Sequence, residues 1–164
     1  MPQHALVQCG ERVGSFRLGR AEREVGHGEL VDAQGAVLVE QFDQLEPRDA
    51  PGQKINGSLT VGENIGDLGG LQIAFKAYKA SLGGKPAPVI DGFTGEQRFF
   101  YSFAHAWRSK YRDAALLQQV TTDPHTPGFL RPNVVRNLDA WYVTFGVKPG
   151  QALYLKPEER LKVW

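Results

Sequence analysis

Glu63 and Asp67 stand four residues apart in the run Thr60-Val-Gly-Glu63-Asn-Ile-Gly-Asp67-Leu. On a helix this spacing puts both carboxylates on one face, one turn apart. Two acids so placed repel each other unless a cation or hydrogen-bond donors stand between them. Their spacing alone leaves simpler uses open: Glu63 closes a T-x-x-E capping pattern with Thr60, and Asp67 fits a solvated helix face. Further along, His125 sits in Asp123-Pro-His-Thr-Pro-Gly and Arg131 follows it. A ring N–H and a guanidinium are the donors that developing negative charge, a carbonyl or a carboxylate requires. Judged by its neighbours alone, His125 reads as an ordinary loop histidine. Cys9 is the single cysteine, which excludes an internal disulfide and a thiolate zinc cluster.

The elements that must position these groups read as helices. Leu38, Phe42 and Leu45 recur at helical spacing before Glu46-Pro-Arg-Asp-Ala-Pro-Gly breaks the run. From the Thr60 capping pattern, Ile65, Leu68, Leu71, Phe75, Tyr78 and Leu82 follow at steps of three and four, which predicts a helix from about Val61 to Leu82, ended by Gly83-Gly84. Gly66, Gly69 and Gly70 inside it should each cost about 1 kcal/mol relative to alanine, so a close-crossing partner helix is expected there. Thr94-Gly-Glu-Gln97 forms a second capping pattern, and Phe99, Phe103, Trp107 and Tyr111 then make an aromatic stripe that reads as core. A short helix over Ala114 to Val120, a turn-rich loop from Thr121 to Gly128 and a long helix from Asn133 to Phe145 complete the pattern. In the last, Leu138, Trp141 and Phe145 should face inward and Gly146 should cap the C-terminus. The apolar tail from Leu153 to Trp164 should dock. With no strand series and no repeat, the expected class is mainly α.

Asn56-Gly-Ser-Leu-Thr-Val-Gly-Glu63-Asn64-Ile-Gly-Asp67-Leu-Gly-Gly-Leu resembles the signature of the neprilysin and endothelin-converting-enzyme family of zinc metalloendopeptidases, which includes bacterial oligopeptidases. Asp123-Pro-His125-Thr-Pro-Gly-Phe-Leu-Arg131-Pro-Asn133, with Asn137 and Phe145 beyond it, is similar to that family's H-x-P-x-x-x-R segment. The Pro88 to Phe100 run and the terminal Val163-Trp164 match as well, so the resemblance covers about residues 37–164 and leaves 1–36 an unassigned head. It implies that Glu63 is the third zinc ligand and that Asp67 orients a zinc-binding histidine. It also implies that His125 hydrogen-bonds the oxyanion of the tetrahedral intermediate and that Arg131 holds a substrate carbonyl. Leu161 stands where secreted animal members carry a cysteine, which favours the bacterial branch. The implied fold is the C-terminal helical part of a zincin-like catalytic domain, acting on peptide substrates.

The sequence also departs from that family. An H-E-x-x-H helix supplies the family's first two zinc ligands and its general base, and none occurs here; His4, His27 and His105 lack the motif's partners. The expected protein is therefore a fragment separated from its front half, with one zinc per complete domain but no tight zinc site and no activity of its own. The missing N-terminal half is an expected partner. The fragment reading also expects Ile65, Leu68 and Leu71, beside the glycines of that helix, to have lost their covering element; the competing expectation is a non-catalytic helical module binding peptide or protein through His125, Arg131 and that uncovered apolar face. A new zinc site built on His4 or His27 is a third, weaker reading. Composition narrows the rest: 41% apolar and 23% charged residues are globular proportions, and a net charge of +1 is too balanced for dense phosphate neutralisation, which argues against nucleic acid. No stretch reads as a signal peptide or a membrane span, so the cytoplasm is the default expectation.

Overall fold

Apolar residues at three- and four-residue steps dictate a stack of helices, and the computed structural model, which describes residues 35–162, is mainly helical. The described chain opens in a helix (α1, 35–43) that buries Leu38 and Phe42 fully. A loop then leads to the long helix α2 (Gly57–Ser81). After a tight turn whose only strand-like pairing is an isolated bridge between Ile90 and Phe93, α3 (Gly95–Ala106) and α4 (Asp113–Thr122) follow. A 3-10 segment (Gly128–Asn137), the short α5 (Asp139–Phe145) and a single 3-10 turn (Pro157–Glu159) end the described chain. No described helix is long and apolar enough to cross a membrane.

The N-terminus of α2 lies one turn earlier than the Thr60 pattern predicts. Asn56 is the cap, its side chain accepting the Leu59 N–H at 3.0 Å, while Thr60 is already helical and buried. The earlier start is possible because Gly57 lets the backbones of α1 and α2 touch. A Cβ there would run into the Val39 carbonyl, and the Gly57 N–H is taken by Asp43 at 2.7 Å. The capping box at Thr94 and Gln97 forms as expected, and Gly146 ends α5 in the left-handed region at φ 61°.

Two expectations about elements fail. The helix predicted over Asn133–Phe145 is two pieces: the chain runs in 3-10 form through Asn137, and extended Leu138 separates it from α5. The aromatic stripe is also interrupted, because α3 stops at Ala106 and leaves Trp107 and Tyr111 beyond its end.

The core runs between α2 and the 3-10 segment, where Leu68, Leu71, Val134, Val135 and Leu138 are buried together with Phe100 and Leu116. A buried amide pair joins the ends of the described chain to this core. Gln41 and Asn137 exchange hydrogen bonds at 3.0 and 2.8 Å, and the Asn137 oxygen also accepts the Leu161 N–H. The tail therefore docks through Leu161, whereas Leu153 stays exposed and Val163-Trp164 lie outside the described residues.

The glycine-bearing face of α2 differs from its expectation in a useful way. Leu68 and Leu71 are buried and Ile65 is partly covered, so these side chains are not orphaned. Gly69 is buried as well, whereas a Cβ added at Gly66 or Gly70 would meet nothing within 4 Å. No described helix crosses there. These two glycines instead line an open groove of about 360 Å³ between α2 and α3, walled by Leu71, Ala74, Phe103 and Ala106 and ending on Asp67.

Candidate functional site

Residues far apart in the chain meet around Asp67, which lines this groove. α2 contributes Glu63 and, one turn on, Asp67; the loop after α4 contributes His125; the 3-10 segment contributes Arg131. The cation that two neighbouring acids require is Arg131. Its Nε and Nη2 donate to the two oxygens of Asp67 at 2.6 and 2.8 Å in a bidentate pair, with the Arg131 and Asp67 side chains only 11% and 9% exposed. The same Nη2 reaches Glu63 Oε2 at a longer 3.4 Å. Trp107 lies beneath the guanidinium, whose carbon is 3.9 Å from the ring centroid, so the residue just past the end of α3 helps hold the arginine flat.

His125 faces the same carboxylate from the other side, its Nε2 lying 3.5 Å from Glu63 Oε2. Its Nδ1 is 2.7 Å from Asp123 Oδ1, and the same oxygen accepts the His125 backbone N–H at 2.8 Å. That backbone bond, and then the bond to the ring, hold the Asp123 carboxyl below its ordinary value. An ionised carboxylate only accepts, so Asp123 places a proton on Nδ1. Nε2 then donates a hydrogen bond only when the ring is positively charged.

All four residues singled out in the sequence are thus in one connected cluster. Three contributors were not singled out for chemistry: Asp123, which clips the ring; Trp107, read as core; and Asn64, whose side chain is fully buried beside Glu63. Asn64 was visible only as a letter in the matched motif, since spacing cannot show burial.

A catalytic zinc takes three protein ligands and keeps one open position. Among the described residues no three His, Cys, Asp or Glu side chains converge to hold a metal. Both Asp67 oxygens already accept from Arg131, and Asp123 is turned to its histidine. Glu63, 45% exposed, is the carboxylate of the cluster that remains open to a ligand. These residues do not form a zinc site by themselves.

The model of peptidase family M13 matches residues 26–161. The chain belongs to that family. The match begins at residue 26, ahead of the motifs that start near residue 37. Neprilysin-11 of Caenorhabditis elegans is 39% identical over 139 residues, covering 81% of this chain and 16% of the relative. Neutral endopeptidase of Lactobacillus helveticus is 35% identical over 128 residues, covering 77% and 18% respectively. The crystal structure of Mycobacterium tuberculosis zinc metalloprotease Zmp1 in complex with inhibitor superposes with a TM-score of 0.80 at 48% identity, over 84% of this chain and 22% of that one. The chain therefore spans less than a quarter of the length of these M13 relatives, and its fold is that of the matching part of an M13 zinc metalloprotease.

Proposed function

We propose that this chain is the C-terminal part of a zinc endopeptidase catalytic domain, inactive alone and completed by an element carrying H-E-x-x-H. The observation that carries the reading is the joining of Glu63, Asp67, His125 and Arg131 into one cluster, whose Asp67 also lines an open groove. In this reading Glu63 is the carboxylate offered to a shared zinc, because it alone of the cluster's acids has an uncommitted, half-exposed side chain. Asp67 is the fixed acid that orients an incoming histidine. Each of its oxygens keeps a lone pair after pairing with Arg131.

The other two residues act on the substrate. His125, clipped by Asp123, offers the oxyanion an Nε2–H in the charged form of its ring. Arg131 uses Nε and Nη2 on the acids; its Nη1 makes no hydrogen bond among the described residues and is the edge left for a substrate carbonyl. The glycines facing the groove are the natural seat for the completing helix, because a surface without side chains allows close backbone approach.

The test is a peptide-cleavage assay on the purified 164-residue chain, alone and after mixing with the front half of a related M13 peptidase. The chain alone is expected to cleave nothing and to bind no zinc with sub-micromolar affinity, since one carboxylate is one ligand of the several required. The mixture is expected to show zinc-dependent cleavage that Glu63→Gln abolishes. Cleavage by the chain alone, or a mixture indifferent to Glu63→Gln, would overturn the proposal.

A further inference from the structure

Glu63 and His125 are both about half exposed, and their only direct contact is 3.5 Å long. A contact of that kind does not hold a loop against a helix. The tie lies one residue along from each. Asn64 is 0% exposed and Thr126 1%, and the Thr126 hydroxyl donates to Asn64 Oδ1 at 3.0 Å. The amide cannot turn, because its Nδ2 donates to Thr60 Oγ1 at 3.0 Å and that hydroxyl in turn donates to the Asn56 carbonyl at 3.1 Å. The loop beyond Thr126 is anchored too: Pro127 is fully buried, the Gly128 N–H donates to the Tyr111 hydroxyl at 3.1 Å, and a Cβ on Gly128 would crowd Ser109 and the Trp107 carbonyl.

We propose that Asn64 and Thr126 are positioning residues, a buried bolt that sets the His125 ring against the Glu63 carboxylate. Each exposed member of the cluster has a buried neighbour, and the two buried neighbours are bonded to each other. A slip of the loop along α2 therefore breaks the bolt before it moves the ring. The inference rests on the proposed function only for the use to which the His125–Glu63 spacing is put. The spacing itself is measured without any activity.

The experiment is solution NMR on the intact chain at one fixed pH, reading the Overhauser contact between the His125 ring and the Glu63 side chain together with amide exchange over 123–128. Thr126→Val removes the donor at nearly constant shape and should abolish the ring contact and speed exchange of the loop amides about tenfold, the scale of one buried hydrogen bond. Thr126→Ser restores the hydroxyl and should restore both. In Asn64→Leu with Thr126→Val, two apolar groups replace the bonded pair, so the melting temperature should recover toward that of the natural chain while the ring contact stays lost. That split separates positioning from stability, and the double variant carries the test if Thr126→Val does not fold. A ring contact and loop exchange unchanged in Thr126→Val, or restored in the double variant, would overturn the proposal. Absence of cleavage in the mixing assay would instead count against the proposed function and leave this result standing.

Discussion

Replacing Gly66 and Gly70 by alanine separates what α2 needs as a helix from what it needs as a docking face. Within a helix, glycine is disfavoured relative to alanine by about 1 kcal/mol through backbone entropy. A Cβ at either position meets nothing within 4 Å, so no clash offsets that gain. Neither Cβ meets a packed neighbour, so the pair should gain up to about 2 kcal/mol. For a chain of this size that is a rise of roughly 6 °C in melting temperature, read by circular dichroism. Assembly should respond in the opposite direction. If the groove seats a helix from the front half, each methyl holds that helix away, and overpacking of a close interface typically costs about 1–3 kcal/mol per site. The double variant should therefore melt higher alone and bind the front half at least tenfold more weakly by calorimetry. A lower melting temperature would mean the groove is already filled. Unchanged assembly would mean that the glycine face is not the contact.

Three other perturbations test the cluster and its scaffold. Arg131→Met leaves the nearly buried Asp67 carboxylate without its bidentate partner and should cost about 2–4 kcal/mol, below the full range for deep pairs because Glu63 keeps one edge wet; a cycle with Asp67→Asn should show clear coupling, and strictly additive losses would refute the pairing. Gly57→Ala drives a Cβ into the Val39 carbonyl and should cost about 3 kcal/mol by denaturant unfolding, whereas a neutral result would contradict the close approach of α1 and α2. The Lys79 ammonium, bonded to Glu96 at 2.6 Å, holds that carboxyl below its ordinary 4.5. Because the native value is the lower one, the pair's contribution is complete above the ordinary value and disappears as pH falls through 4.5 and then through the native value. Both groups are partly solvated, so Glu96→Gln should cost only a few tenths of a kcal/mol at neutral pH and nothing in acid.

How much of this was legible in the sequence depends on the range of the interaction involved. Thr94 with Gln97 and the Gly146 cap were readable because a capping box and a left-handed cap are closed within a few residues. Thr60 with Glu63 has the same local form, yet Asn56 won the cap because α1 contributes the Asp43 carboxylate and the Val39 backbone at Gly57, contacts that no local window contains. The break in the long last helix has a related cause. The periodicity from Asn133 to Phe145 is real, but Asn137 is committed to Gln41 and to the Leu161 N–H, and the chain straightens at Leu138 to allow it. The four site residues came from motif likeness, while their supports did not. Trp107 reads as core until a guanidinium is known to lie on it, and Asn64 and Thr126 are unremarkable polar letters until both are known to be buried.

The two acids of α2 show how one guanidinium makes neighbours unequal. Asp67 takes both of the short bonds, 2.6 and 2.8 Å, at 9% exposure, and is held in one orientation. Glu63 receives the long one, 3.4 Å, at 45% exposure, with His125 at a comparable distance across from it. Repulsion between the carboxylates is thus relieved chiefly at Asp67. Glu63 stays half exposed, reached by Arg131 and His125 only at the longer distances and gripped by no short bond. A group that must orient another residue needs the first condition, and a group that must bind an arriving ligand needs the second. Exchanging the two by Glu63→Asp with Asp67→Glu keeps the charge and the family spacing but moves the short bonds. If this inequality underlies the division of labour, that variant should keep most of its stability and fail to restore cleavage in the mixing assay, whereas full activity would show that the division is not set by Arg131.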